Sequence, residues 1–217
     1  RMRNVINKGI TEQHVLNAVE LAAAAGMKNI KLYYMLGLPG EADSDIEEMI
    51  AMILRVREKM DAALNRGELI ISVNGFIPKP FTPFQWSPLC DVKTLKRRFK
   101  MLESAFKKAK HIQVQTESLK ETVLQAVLAR GDRRIGKALL EAFQRELPLK
   151  QVLKEQGLDL EKLATTAYEI GGPLPWRHLG FSEAYLISEW QKAQREEFTP
   201  MCFDLCRRCG VCGEVQA

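Results

Sequence analysis

Four cysteines, Cys202, Cys206, Cys209 and Cys212, crowd the run Cys-Phe-Asp-Leu-Cys-Arg-Arg-Cys-Gly-Val-Cys-Gly near the end of the chain. Thiolates bind zinc and iron–sulfur clusters because both are thiophilic and draw the cysteine pKa down. Cys-x-x-Cys spacing lets two sulfurs face one centre. The glycines after Cys209 and Cys212 permit left-handed turns that aim backbone amides at sulfur. Arg207 and Arg208 offset thiolate charge. These residues predict a metal centre held by at least three of Cys202, Cys206, Cys209 and Cys212. Structural zinc sites draw ligand pairs from separated places, whereas iron–sulfur clusters take closely spaced cysteines. An iron–sulfur cluster is therefore the first expectation and zinc the alternative. Cys90 and His178 are candidate remote ligands, and Cys90 otherwise reads as a small buried hydrophobe.

A second candidate is the turn Gly37-Leu-Pro-Gly-Glu41. It lacks both the G-x-G-x-x-G pattern and the P-loop Lys-Ser/Thr, so nucleotide-phosphate binding is weakly supported. In a parallel sheet, however, ligands bind at the C-terminal ends of strands. This turn and the loop from Asn74 to Trp86 both follow strand-like runs. Glu41 reads as a solvated residue near a helix N-terminus. The segment Gly172-Pro-Leu-Pro-Trp-Arg-His178 reads as a loop pinned by a packed Trp176. No Ser/His/Asp arrangement occurs, and His14, His111 and His178 form no ligand pair.

These groups need elements to hold them. Residues 11–26 read as a helix capped by Thr11, and residues 30–36 as a strand apolar on both faces, as if covered on both sides. A helix follows, capped by Asp43 or Ser44, with Ile46, Met49, Ile50, Ile53, Val56 and Met60 inward. Residues 69–73 read as a second strand, parallel to the first by the βαβ order. The stretch 75–88 holds four prolines and reads as an irregular loop. Residues 93–110 form an amphipathic helix with Leu95, Phe99, Leu102, Phe106 and Ala109 inward. Its outer face carries Lys93, Lys96, Arg97, Arg98, Lys100, Lys107, Lys108 and Lys110, read as solvated. Residues 111–116 read as a third strand. Beyond 118 come short helices at 121–130, 132–144, 149–156, 160–168 and 182–194.

The balance of 46% hydrophobic and 27% charged residues excludes disordered and fibrous classes. No apolar run reaches the roughly 18 residues of a membrane span, so no membrane partner is expected. The net charge of +5 permits nucleic-acid contact without arguing for it. A dense cysteine cluster without a leader points to metal binding in a reducing cytoplasm. The opening Arg1 suggests a fragment.

The run Lys31-Leu-Tyr-Tyr-Met-Leu-Gly-Leu-Pro-Gly-Glu41, followed by Asp43-Ser-Asp-Ile46, resembles the fifth strand and exit loop of a radical S-adenosylmethionine (SAM) barrel. Residues 71–86 resemble its sixth strand and exit loop. Ala129-Arg-Gly-Asp-Arg-Arg134, Leu174-Pro-Trp176 and the cysteine tail resemble one subfamily, which carries an N-terminal cobalamin-binding-like domain. The resemblance implies an α/β fold: the last strands and helices of a partial (β/α)6 barrel over 1–117, a small all-α domain over 118–198 and the tail over 199–217. It implies that Met35, Gly37, Asn74 and Phe76 face the SAM adenosine. It implies partners within the same protein, namely the missing N-terminal barrel half and the cobalamin-binding-like domain; the substrate is unknown. In that family a Cys-x3-Cys-x2-Cys motif near the first strand holds a [4Fe–4S] cluster that cleaves SAM. Cys202, Cys206 and Cys209 repeat this spacing, but no strand precedes them, and Arg208 stands where the family has an aromatic. They are read as an auxiliary or structural centre, and the chain alone is expected to be inactive. The alternative is a basic nucleic-acid-binding module with a zinc knuckle.

Overall fold

The computed structural model describes residues 1–179, 182–204 and 206–210. The chain divides into two compact units, Arg1–Phe76 with Asp91–Leu119, and Ile77–Cys90 with Lys120–Ala217. Unit 1 is α/β. It contains α1 (Met2–Val5), α2 (Glu12–Ala24), β1 (Ile30–Leu36), α3 (Asp43–Ala62), β2 (Leu69–Gly75), α4 (Val92–Phe106) and β3 (Ile112–Thr116). The strands form one parallel sheet in the order β1-β2-β3.

Local chemistry sets the boundaries. The Thr11 hydroxyl accepts the His14 amide at 3.2 Å, while His14 Nδ1 accepts the Thr11 amide at 3.2 Å, so the two residues cap each other at the start of α2. At α3 the capping residue is Ala42 rather than Asp43 or Ser44. Its amide donates to Asp45 Oδ2 at 2.7 Å. Asp91 caps α4 by accepting the Thr94 amide at 2.9 Å. Of the residues the periodicity marks, Ile46, Ile53, Val56 and Met60 of α3 and Leu95, Phe99, Leu102 and Phe106 of α4 are buried, Met49 and Ile50 are half-buried, and Ala109 falls past the end of α4; Met52, Arg57 and Arg98 are buried as well. Arg57 donates to the carbonyls of Gly67 (2.8 Å) and Asn65 (2.5 Å), tying the end of α3 to the start of β2.

β1 differs from its expectation. It alternates, with Lys31, Tyr33 and Met35 exposed and Leu36 fully buried. Leu69, Ile71 and Val73 of β2 are buried on the same side as the helices, where α4 packs against β1 and β3. The other sheet face, carrying Tyr33, Met35, Asn74 and Gln115, is open. Tyr33 and Met35 are large enough to make the strand read as apolar throughout, although only alternate residues are covered.

Unit 2 is helical: α5 (Leu119–Arg130), α6 (Arg133–Gln144), α7 (Leu149–Glu155), α8 (Leu160–Thr165), a single 3-10 turn (Arg177–Leu179) and α9 (Glu183–Gln194). One core gathers Leu89, Ala126, Val127, Ile135, Ala138, Val152 and Leu153, and a second gathers Trp86, Leu174, Trp176 and Leu186. The residues 77–90 that leave β2 thus belong to this unit.

Candidate functional site

β1 and β2 run parallel and in register, so their C-terminal ends lie side by side. Met35 pairs with Asn74 and Leu36 with Gly75. The Phe76 amide donates to the Leu36 carbonyl at 2.8 Å, holding the two exits together. Met35 and Asn74 are both exposed at the end of the open face, Phe76 is half-buried and Gly37 is buried. These four residues therefore occupy one end of the sheet. Asn74 supplies a side-chain amide and Met35 a soft apolar surface, while the backbone amides of Gly37 and Phe76 are taken by Glu41 Oε1 and the Leu36 carbonyl.

Gly37 takes φ +87° and Gly40 φ +75°. Both lie in the left-handed region, where side chains are disfavoured. The turn is fixed from within. The Gly37 amide donates to Glu41 Oε1 at 2.8 Å, and the Glu41 amide donates to the Leu38 carbonyl at 3.0 Å. Arg98 of α4 then donates through Nη1 to Glu41 Oε1 (2.8 Å), through Nη2 to the Glu41 carbonyl (2.6 Å) and through Nε to Asp43 Oδ1 (3.3 Å).

Two sequence readings change here. Glu41 is not solvated, since its side chain is only 1% exposed. Arg98 does not belong to the solvated basic face, since it points inward to Glu41 and Asp43. Burial pushes the Glu41 carboxyl up from its ordinary range, against the Gly37 amide and the Arg98 charge, which pull it down. The turn resembles an anion-binding loop, yet its own carboxylate already occupies the Gly37 amide. Arg97 pairs with Asp43 on the outside, and its hydrogen bond holds the Asp43 carboxyl below the usual range.

In unit 2 the segments 129–134, 80–86 and 174–176 meet. Trp176 Nε1 donates to Gln85 Oε1 at 2.8 Å, which also accepts the Phe81 amide at 3.2 Å. The Tyr168 amide donates to the Trp86 carbonyl at 2.9 Å, and the Tyr168 ring stands edge-on to Trp176 at 5.7 Å. Arg130 lies over the Tyr168 ring at 4.8 Å and donates to the Ala164 and Thr166 carbonyls at 2.6 and 2.8 Å. The pinned-Trp reading of the loop at 172–178 describes Trp176 well; His178 is exposed.

Cys202 is exposed, Cys206 buried and Cys209 half-buried, while Cys212 lies outside the described residues. Among the described residues no group of three or more His, Cys, Asp or Glu side chains is arranged to hold a metal ion. Cys206 instead accepts a hydrogen bond from Arg208 Nε at 3.2 Å, which lowers its thiol pKa. Arg208 also donates through Nη2 to the Pro200 and Met201 carbonyls, both at 2.9 Å. The described thiols thus do not form a ligand set in this conformation. Cys90 is half-buried rather than buried.

Among the described residues no helix is long and apolar enough to cross a membrane. No family model matches the chain, and no solved structure matches it. It is similar to an uncharacterized protein of Methanocaldococcus jannaschii, with 38% identity over 139 residues. The match covers 64% of this chain and 29% of that protein, so the chain spans under a third of its relative's length.

Proposed function

We propose that this chain is the C-terminal part of a radical SAM protein. In this reading unit 1 supplies the last strands of a partial (β/α)6 barrel, and Met35, Gly37, Asn74 and Phe76 form the wall that faces the SAM adenosine. The observation that carries the reading is the one-sided sheet. Among the described residues of unit 1, helices pack against one face of its parallel strands, and the other face ends in the four residues named. A barrel is built in this way, with helices outside and ligand-facing residues at the C-terminal strand ends. A cluster elsewhere in the protein would supply the electron that cleaves SAM. The part of this chain is to hold the nucleoside and keep water from it. The Gly37–Glu41 turn is held from within by the Glu41 carboxylate and from outside by Arg1, which donates to the Gly40 carbonyl.

The cysteine tail enters this reading as an auxiliary or structural centre. Its support is the density of four thiols beside Arg208, and no step of the chemistry is routed through it. The test uses the whole protein, reconstituted anaerobically with iron and sulfide. Equilibrium dialysis with labelled SAM should show binding that Asn74→Ala and Met35→Lys weaken at comparable iron content. A colourless protein that ignores SAM but binds RNA with a steep salt slope would replace this reading with the nucleic-acid one.

A further inference from the structure

Helix α6 carries a second apolar stripe that the proposed function does not use. It buries Ile135, Ala138 and Ala142 inside unit 2. On the adjoining face Leu139, Leu140 and Phe143 are exposed, Leu140 by 58% and Phe143 by 83%. Leu139 and Phe143 border an open groove whose rim includes Glu146. A nearly bare ring beside two leucines is the kind of patch that marks an interaction surface. Gly136 lies on the same stripe two turns before Phe143. A Cβ built there meets nothing within 4 Å, so the helix surface above it is free.

We propose that this face pairs with the same face of a second copy of the chain, α6 against α6 and antiparallel across a two-fold axis. The pattern is self-complementary in that arrangement. Turning the helix over about a point between Leu139 and Leu140 sets each Phe143 ring on the second copy's Gly136, where no side chain obstructs it. It sets Leu139 against Leu140 at the axis. It also brings Arg133, at the helix start, opposite the second copy's Glu146, just past the helix end. Both residues are exposed, and neither has an ion-pair partner among the described residues. A parallel pairing would oppose Arg133 to Arg133, whereas the antiparallel one sets the two helix dipoles favourably as well. The contact is isologous, as a closed dimer requires. One helix pair covers less than a standard interface, so the dimer is a weak one.

Sedimentation equilibrium of the 217-residue chain under reducing conditions tests this, over roughly 1 to 300 μM. A monomer–dimer equilibrium is expected. Gly136→Leu fills the hole while improving helix propensity, so the fold survives and the dissociation constant rises by about tenfold or more. Glu146→Arg weakens the dimer, and adding Arg133→Glu to it restores affinity to within roughly threefold of wild type. A wild type that stays monomeric throughout, a dimer that Gly136→Leu leaves intact, or a charge reversal without rescue would each overturn the proposal.

Discussion

Glu41 and Arg98 hold the candidate site in shape, and neither role is visible in the sequence. Glu41 follows a glycine turn at a helix start, where most carboxylates are solvated. Arg98 sits in a run of basic residues that reads as one outer face, although it lies beside Phe99 at the edge of the buried stripe. What the sequence hides is a contact between residues 57 positions apart. Removing the arginine leaves a buried carboxylate without its cation, so Arg98→Gln should cost about 3 kcal/mol or more in urea unfolding. Glu41→Gln should cost less, because the Gln carbonyl can still accept from Gly37 and Arg98, and Arg98 keeps its bonds to Asp43 and the residue-41 backbone carbonyl. The two variants also differ in pH response. Burial raises the Glu41 pKa in the folded state, so its contribution is largest below the unfolded pKa and is lost as pH rises through the folded value. Stability of wild type relative to Glu41→Gln should therefore rise on going from neutral to about pH 5. A relative fall would mean that the Arg98 and Gly37 contacts outweigh burial. Asp43, held low by Arg97, acts with the opposite sign and loses its contribution on acidification.

At the scale of elements, the helices of unit 2 were legible nearly to the residue, because caps and breakers are local signals. Asp132 caps α6 through the Arg134 amide at 2.9 Å, and Ser182 caps α9 through the Tyr185 amide at 3.4 Å. Gly131 between α5 and α6 has a stricter reason to be glycine. A Cβ there would lie 2.3 Å from Ile135 Cγ1 and 2.6 Å from the Val127 carbonyl. Gly131→Ala should destabilise by roughly 1–3 kcal/mol, read from the thermal midpoint. Gln85→Leu would orphan both the Trp176 indole N–H and the Phe81 amide, at a similar cost. The strands were legible as strands, but the one-sided cover of β1 was not, since Tyr33 and Met35 are apolar whether covered or open. The cysteine tail is the reverse case. Its residue types are unmistakable, while Cys206 accepts a hydrogen bond from Arg208 and Cys212 lies outside the described residues. The double variant Cys206→Ala, Cys209→Ala should abolish metal content in the anaerobically reconstituted 217-residue chain. Unchanged iron or zinc at near one site per chain would exclude the tail as the ligand set.

At the scale of the molecule, the parallel pairing of β1 and β2 followed from strand–helix alternation, and with it the two exit loops at one end, whereas the parallel pairing of β3 with β2 is seen only in the structure and the choice of Met35, Gly37, Asn74 and Phe76 came from the resemblance. The sequence could not say which sheet face stays open, because that depends on what α3 and α4 cover. The open face is what gives the proposed barrel reading its force. The direct test is reductive SAM cleavage by the whole anaerobically reconstituted protein with dithionite, measured as 5′-deoxyadenosine. Wild type should exceed the no-protein control. Gly37→Val, which places a branched side chain at φ +87° in the nucleoside wall, should lower the yield by about tenfold at unchanged iron content. Iron-loaded wild type that forms no 5′-deoxyadenosine, or a Gly37→Val protein as active as wild type, would contradict the account.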